Sequence, residues 1–328
     1  MAIVTPAAGS VPIPTPREPR WQIALQNAVR DPVQLCTMLQ LPEGLQPAAR
    51  QVAEQFPLVA PLEYIDRMRV GDPQDPLLRQ VLPIQDELEP ARGFQLDPVG
   101  DSAATLQPGL LQKYAHRALM VTTPICAVHC RYCFRRHFNY QTTPRTLADW
   151  QPALDQLAAD TEIQEIILSG GDPLMLPDQR LQELVSNLAA IKHLQRLRIH
   201  TRLPVVIPQR ITPALTQLLR AHRLTSIVVI HANHPAELDS TVAYAIDQLL
   251  GAGIPVLNQS VLLRGVNDSL DTLVQLSQRL VAMRVMPYYL HQLDQVAGAA
   301  HFHVPIATGQ QLIAHMRRQL PGYAVPRY

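Results

Sequence analysis

Lysine is almost missing from this chain: of its 28 basic residues, only Lys113 and Lys192 are lysines. Any chemistry that needs a side-chain amine therefore has two candidates. Cysteine is scarce too, with four in 328 residues, which excludes a disulfide framework. No apolar run reaches the length of a bilayer span. The opening Met1-Ala-Ile-Val-Thr-Pro6 lacks the basic region and apolar core of a secretory signal. A net charge of +1 gives no field to draw nucleic acid or anionic lipid, and no internal repeat is present. These absences point to a cytoplasmic chain in a reducing compartment. At 47% apolar it has the composition of a globular protein with a large core and one or two domains.

Three of the four cysteines lie in one stretch, Cys126-Ala-Val-His-Cys130-Arg-Tyr-Cys133. Thiols spaced C-x3-C-x2-C cannot all pair with one another, so they read as ligands of one metal centre. An iron–sulfur cube has four irons and usually takes four cysteines. Three leave one iron open, as a catalytic metal site requires. The competing reading is zinc held by Cys3His, with His129 or His137 as the fourth ligand. A structural zinc site usually has a second ligand pair farther along, and none occurs here.

The chain changes texture at Arg117. Before it, residues 5–19 are proline-rich and read as an extended arm. Helical spacing predicts two short helices between Trp21 and Leu39, and one or two more between Pro47 and Val70. Residues 84–112 read as loop. After it, six runs rich in β-branched residues read as buried strands: 117–122, 163–168, 195–200, 225–231, 254–262 and 284–290. Helical stretches near 147–159, 178–191, 213–222, 237–250 and 269–283 separate them. This alternation predicts an α/β fold, a parallel sheet curved into an open (β/α)6 partial barrel with an N-terminal helical region. The expected divisions are 1–112, 113–295 and 296–328. Ligands gather at the carboxyl ends of such strands. The cysteine loop, Ser169-Gly-Gly-Asp-Pro173, His231-Ala-Asn-His-Pro235 and Asp294 all follow strands, so they should share one rim.

The cysteine spacing is also the signature of radical S-adenosylmethionine enzymes. Together with Cys133-Phe-Arg-Arg-His-Phe138, Ser169-Gly-Gly-Asp-Pro173 and Asn258-Gln-Ser-Val-Leu-Leu-Arg264, the chain resembles the lysine 2,3-aminomutase family. Tyr64-Ile-Asp-Arg-Met68 and Asp75-Pro-Leu-Leu-Arg-Gln80 resemble its short bacterial branch, which makes (R)-β-lysine for elongation factor P. The likeness runs from about Trp21 to Pro326 and implies the same open barrel.

The resemblance implies a [4Fe–4S] cluster on Cys126, Cys130 and Cys133, with S-adenosylmethionine chelating the open iron. One electron from a donor then breaks the sulfonium bond and yields a 5′-deoxyadenosyl radical. Gly170 and Gly171 would let backbone approach the methionine end, having no Cβ. Asp172 would accept from its ammonium or cap the turn that follows. Tyr132 would pack the adenine or serve the core. His231 and Gln259, polar and late in apolar strands, would touch cofactor or satisfy a core hydrogen bond. Arg135 matches the family arginine that grips the substrate carboxylate, with Arg136 as a solvated neighbour. Asp294 matches the acid that holds the distal ammonium of lysine.

Pyridoxal 5′-phosphate is the third implied cofactor, with Lys113, Tyr114 and Arg117 at positions that hold or pack it. The family's Schiff-base lysine lies beyond a Gly-Tyr-x-Val-Pro motif. Here that motif is Gly322-Tyr-Ala-Val-Pro326, two residues from Tyr328, and the lysine has no counterpart in the sequence. Either the tail is shortened or pyridoxal phosphate binds without that bond. The implied activity is conversion of L-lysine to (R)-β-lysine, passed to a separate ligase acting on elongation factor P. The alternatives are a radical aminomutase for another amino acid, such as glutamate, and a non-catalytic zinc or cluster module.

Overall fold

The computed structural model describes residues 20–328; the proline-rich segment 5–19 lies outside the described residues. Helices α1 (Arg20–Gln26) and α2 (Pro32–Met38) follow one another, and α3 (Gln46–Gln55) and α4 (Leu62–Ile65) complete the N-terminal helical region. Local chemistry starts α2: Asp31 accepts from the Val33 amide at 2.9 Å and Pro32 opens the first turn.

Eight strands form one sheet in sequence order. They are β1 (Thr105–Gln107), β2 (Leu110–Tyr114), β3 (Arg117–Val121), β4 (Glu165–Ser169), β5 (Arg196–Thr201), β6 (Thr225–His231), β7 (Val256–Val261) and β8 (Met286–His291). The six from β3 to β8 are parallel and coincide with the six runs read from sequence. The edge strands β1 and β8 do not pair, so the barrel is open. Helices α5 (Leu147–Ala159), α6 (Asp178–Ala190), α7 (Leu203–Val206), α8 (Pro213–Arg220), α9 (Ser240–Gly251) and α10 (Leu270–Ala282) occupy the crossovers, and α11 (Ile306–Gln319) follows β8. Among the described residues no helix is long and apolar enough to cross a membrane.

Strand alternation divides the sheet into two faces. Ile166, Leu168, Leu197, Ile199, Val228 and Ile230 are fully buried in the core shared with the helices, each worth about 1.5–3 kcal/mol. The intervening positions Leu119, Ile167, Arg198, His200, Gln259 and Tyr289 line a cavity inside the barrel.

Two features differ from the sequence reading. The stretch taken as loop holds the β1–β2 hairpin, which adds two antiparallel strands to β3. Its turn is Pro108-Gly109, with Gly109 at φ +74°; an added Cβ there would lie 2.7 Å from Pro144 and 2.8 Å from Trp150. Three- and five-residue strands are too short to show a period. β2 also runs through the division expected at 112/113. The second feature is the tail. Arg327 bridges Tyr289 in parallel register, so the C-terminal residues extend the sheet at the free edge of β8.

Candidate active site

The loop that carries the cysteines is fixed by the turn after β4. Gly171 N donates to Thr123 O at 2.7 Å and Asp172 N to Ile125 O at 2.8 Å. Gly170 has φ +121°, and a Cβ on it would sit 2.9 Å from the Thr123 carbonyl oxygen. A Cβ on Gly171 would overlap the Ile125 backbone. The close approach that requires these glycines is thus made by the chain's own cysteine loop. Gly171→Ala is expected to cost about 1–3 kcal/mol as an overpacked site and to lower iron bound per chain after reconstitution, read by urea unfolding and iron analysis. Wild-type values for both would contradict this geometry.

Asp172 is committed within the protein. It accepts from Leu174 N at 3.0 Å, Thr201 Oγ1 at 2.7 Å and Arg202 N at 2.7 Å. Burial pushes its carboxyl up to about 6 against these bonds. Of its two sequence readings, the cap is the one this geometry makes.

The three thiols are half-buried and feel one another's charge. Burial raises Cys126 well above its ordinary value, and the charges of Cys133, Asp172 and Cys130 raise it further. Burial and Cys130 push Cys133 up to about 11. Three thiolates here repel one another, so the set calls for a cationic centre among them. Among the described residues no three His, Cys, Asp or Glu side chains converge on a single ion. His129 Nδ1 lies 2.8 Å from Pro57 O and His137 Nε2 3.0 Å from Ala297 O, so each ring already has a backbone partner. The donor set fits an iron–sulfur cluster.

Beneath the cysteines lies a buried polar network that the sequence reading missed. Arg202 donates to Cys130 Sγ at 2.8 Å, to Tyr64 Oη at 3.0 Å, to Gln80 Oε1 at 2.8 Å and to Glu237 at 2.9 Å. Glu237 accepts from Gln80 Nε2 at 3.1 Å and Asn233 N at 2.8 Å.

The barrel encloses a cavity of about 590 Å³, within the range of a small-molecule site. Lys113, Arg117, Arg135, Arg198 and Arg327 line it against one lining carboxylate, Asp101. Asp101 is shared by Lys113 and Arg135, and Glu165 pairs Arg198; the wall stays net positive, which favours an anionic ligand.

The Radical SAM superfamily model matches residues 120–276. An L-lysine 2,3-aminomutase of Escherichia coli is 46% identical over 318 residues, covering 97% of this chain and 93% of the relative. The chain belongs to the lysine 2,3-aminomutase family. The Haemophilus influenzae L-lysine 2,3-aminomutase is 46% identical over 94% of this chain and 92% of the relative. The one from Clostridium subterminale is 34% identical over 94% and 74%. The chain is a radical S-adenosylmethionine aminomutase, an isomerase, and its family implies a [4Fe–4S] cluster and S-adenosylmethionine.

The structure places the remaining family positions in two groups. Lys113, Tyr114, Arg117, Arg135 and Gln259 line the cavity together. Lys113 is held by Asp101 at 2.5 Å and by Val99 O at 2.8 Å. Arg117 stacks on Tyr114 at 4.1 Å. Asp101 also takes Arg135 Nε at 2.7 Å, while Arg135 Nη1 reaches Ser169 Oγ at 3.0 Å. Half-buried Asp294 is raised by burial and feels Lys113, Asp101 and Arg135, so it belongs to the same neighbourhood. Tyr132 and His231 are in the polar network instead. Their ring centroids are 5.7 Å apart, and Tyr132 Oη is 3.1 Å from His231 Nε2 and 2.8 Å from Asn233 Nδ2. Tyr132 is 5% exposed and packs edge-on to Phe302 at 6.1 Å, which is the core role. Burial, Arg202 and His291 keep His231 neutral. Lys192 is exposed just past the end of α6. Asp101, Arg198, His200, Tyr288, Tyr289, His291 and Arg327 complete the cavity wall. Alternation along β5 and β8 was the signal available for four of them, Arg198, His200, Tyr289 and His291; Tyr288 lines the wall at a register shift between β7 and β8.

Proposed function

We propose that this aminomutase converts L-lysine to (R)-β-lysine, using pyridoxal 5′-phosphate alongside the cluster and S-adenosylmethionine. The observation that carries the reading is Arg135 in the cavity wall beside Lys113 and Arg117; Asp294, which matches the family's acid for the distal ammonium, feels the charges of Lys113 and Arg135, and the two ends suit an amino acid charged at both. Arg135 is pre-set by Asp101 and Ser169, which leaves Nη2 for a carboxylate. Lys113 and Arg117 supply the charge for a phosphate. Pyridoxal phosphate, when bound, activates the α-nitrogen for migration, and S-adenosylmethionine supplies the radical. The chain's part is to hold both in a dry barrel. The Lys113 amine is tied to Asp101, so its place is beside phosphate and not at the carbonyl carbon. An external one-electron donor reduces the cluster. We place the protein in the cytoplasm and its product with a ligase acting on elongation factor P, on the family resemblance.

The test is an anaerobic assay with reductant, S-adenosylmethionine, pyridoxal phosphate and lysine, following 5′-deoxyadenosine and β-lysine separately. Both should form. Asp294→Lys is expected to cut lysine turnover at least about 100-fold, because like charges meet where the ammonium must sit. Unchanged turnover would remove Asp294 as the partner of the distal ammonium, and a wild-type protein that forms no β-lysine would favour another amino acid such as glutamate.

A further inference from the structure

His200 is a cavity-wall ring, near Arg135 and Arg198, that the family positions leave without a task. It lines the cavity from β5 opposite Val229 of β6, one residue past Ile199, whose partner on β4 is Leu168, the neighbour of Ser169. Ser169 is the residue that anchors Arg135, so His200 stands beside the proposed carboxylate grip. Gln259 Nε2 approaches His200 Nδ1 at 3.5 Å. His200 Nε2 is sealed from solvent and has no partner among the described residues.

A buried polar atom with no partner costs about 1–3 kcal/mol, and the great majority in native proteins are satisfied. Burial and the adjacent Arg198, Arg135, His291 and His231 drive this imidazole down to about 3, so it is neutral. Gln259 Nε2, a donor, faces Nδ1 at 3.5 Å; the tautomer that matches it carries the ring proton on Nε2, which can then only donate. A neutral donor beside an arginine fork suits an oxyanion and does not compete for its charge.

We propose that His200 donates from Nε2 to an anionic oxygen of the amino acid that Arg135 grips, as a substrate-binding residue, with Gln259 fixing its tautomer. This rests on the reading of Arg135 as the carboxylate site. The site would take a carboxylate, or the phenolate of a pyridoxal bound against it.

The experiment measures L-lysine binding by calorimetry to protein reconstituted with iron, sulfide and pyridoxal phosphate, with thermal unfolding as control. His200→Leu should weaken lysine about 10- to 100-fold, the range for a hydrogen bond to a charged group. His200→Gln, whose amide still donates, should stay within about 3-fold of wild type. Should His200→Leu not fold, Gln259→Leu supplies the second variant, with an expected loss of about 3-fold. Separate titration of pyridoxal phosphate without lysine distinguishes the sources: a deficit there assigns the donor to the phenolate. Equal lysine and pyridoxal affinities in wild type and His200→Leu would overturn the inference. So would failure of His200→Gln to rescue at unchanged melting temperature. A wild-type protein that binds no lysine would overturn the substrate reading and this inference together.

Discussion

Cys130→Ala protein, reconstituted with iron and sulfide under nitrogen, is expected to cleave no S-adenosylmethionine above background. The loss should exceed the 10–100-fold typical of removing a group that only supports a metal ligand. Two effects combine. One sulfur of the three is gone, so the cube is held by two. Arg202 also loses the sulfur that its Nη1 meets at 2.8 Å, leaving a buried cation donor unpartnered. Iron and sulfide analysis, electron paramagnetic resonance of the reduced protein and 5′-deoxyadenosine release would each register the change. Cys36→Ala is the control: that thiol is fully buried in the hydrophobic core, raised by burial and by Asp31, and its loss should leave cleavage intact. A Cys130→Ala protein with a full cluster would end the account of the cysteine loop.

Arg202→Met is expected to destabilise the protein by about 3–5 kcal/mol, the cost of breaking a buried ion pair from one side. Glu237 is 0% exposed and would keep Gln80 Nε2 and the amides of Asn233 and His234 but lose its salt bridge to Arg202. The backbone amide of residue 202 would still donate to Asp172, so the end of β5 stays tied and the deficit isolates the guanidinium. Urea unfolding of the anaerobic protein gives the number. Arg202→Met combined with Glu237→Gln should recover part of it, because the orphaned charge is then gone. A single variant as stable as wild type would mean the network contributes nothing.

The two variants probe parts of the site that differ in how they are written in the chain. Cys126, Cys130 and Cys133 are neighbours in sequence, so covalent spacing alone announces a metal centre. Tyr64, Gln80, Arg202 and Glu237 are separated by up to 173 positions, and no local pattern relates one to another. Only the end of β5, the α4 region and the loop after β6 arriving at one place make them a unit. Tyr132 shows the intermediate case. Its position in the cysteine loop marked it for adenine, yet Asn233, Gln80 and His231 converge on its hydroxyl and make it part of that unit.

Glycine was legible as a requirement and ambiguous in its cause. Gly170 and Gly171 follow an apolar strand, which marks a sharp turn, but which backbone comes close is decided by pairing between β3 and β4. Pro108-Gly109 marked a turn and was read as loop, because the flanking strands are too short to show alternation. Asp101 was unremarkable in a proline- and glycine-rich stretch until the β1–β2 hairpin set it under Lys113 and Arg135.

By itself the sequence determined the close spacing of the three cysteines, the six parallel strands and the rim where their motifs end, because each is encoded within a few residues by spacing, branching or turn chemistry. Only the tertiary structure decided which polar residues hold the cysteine loop and which line the barrel. Those choices depend on sheet curvature and strand register, which bring together side chains dozens of residues apart, and no local periodicity records such meetings.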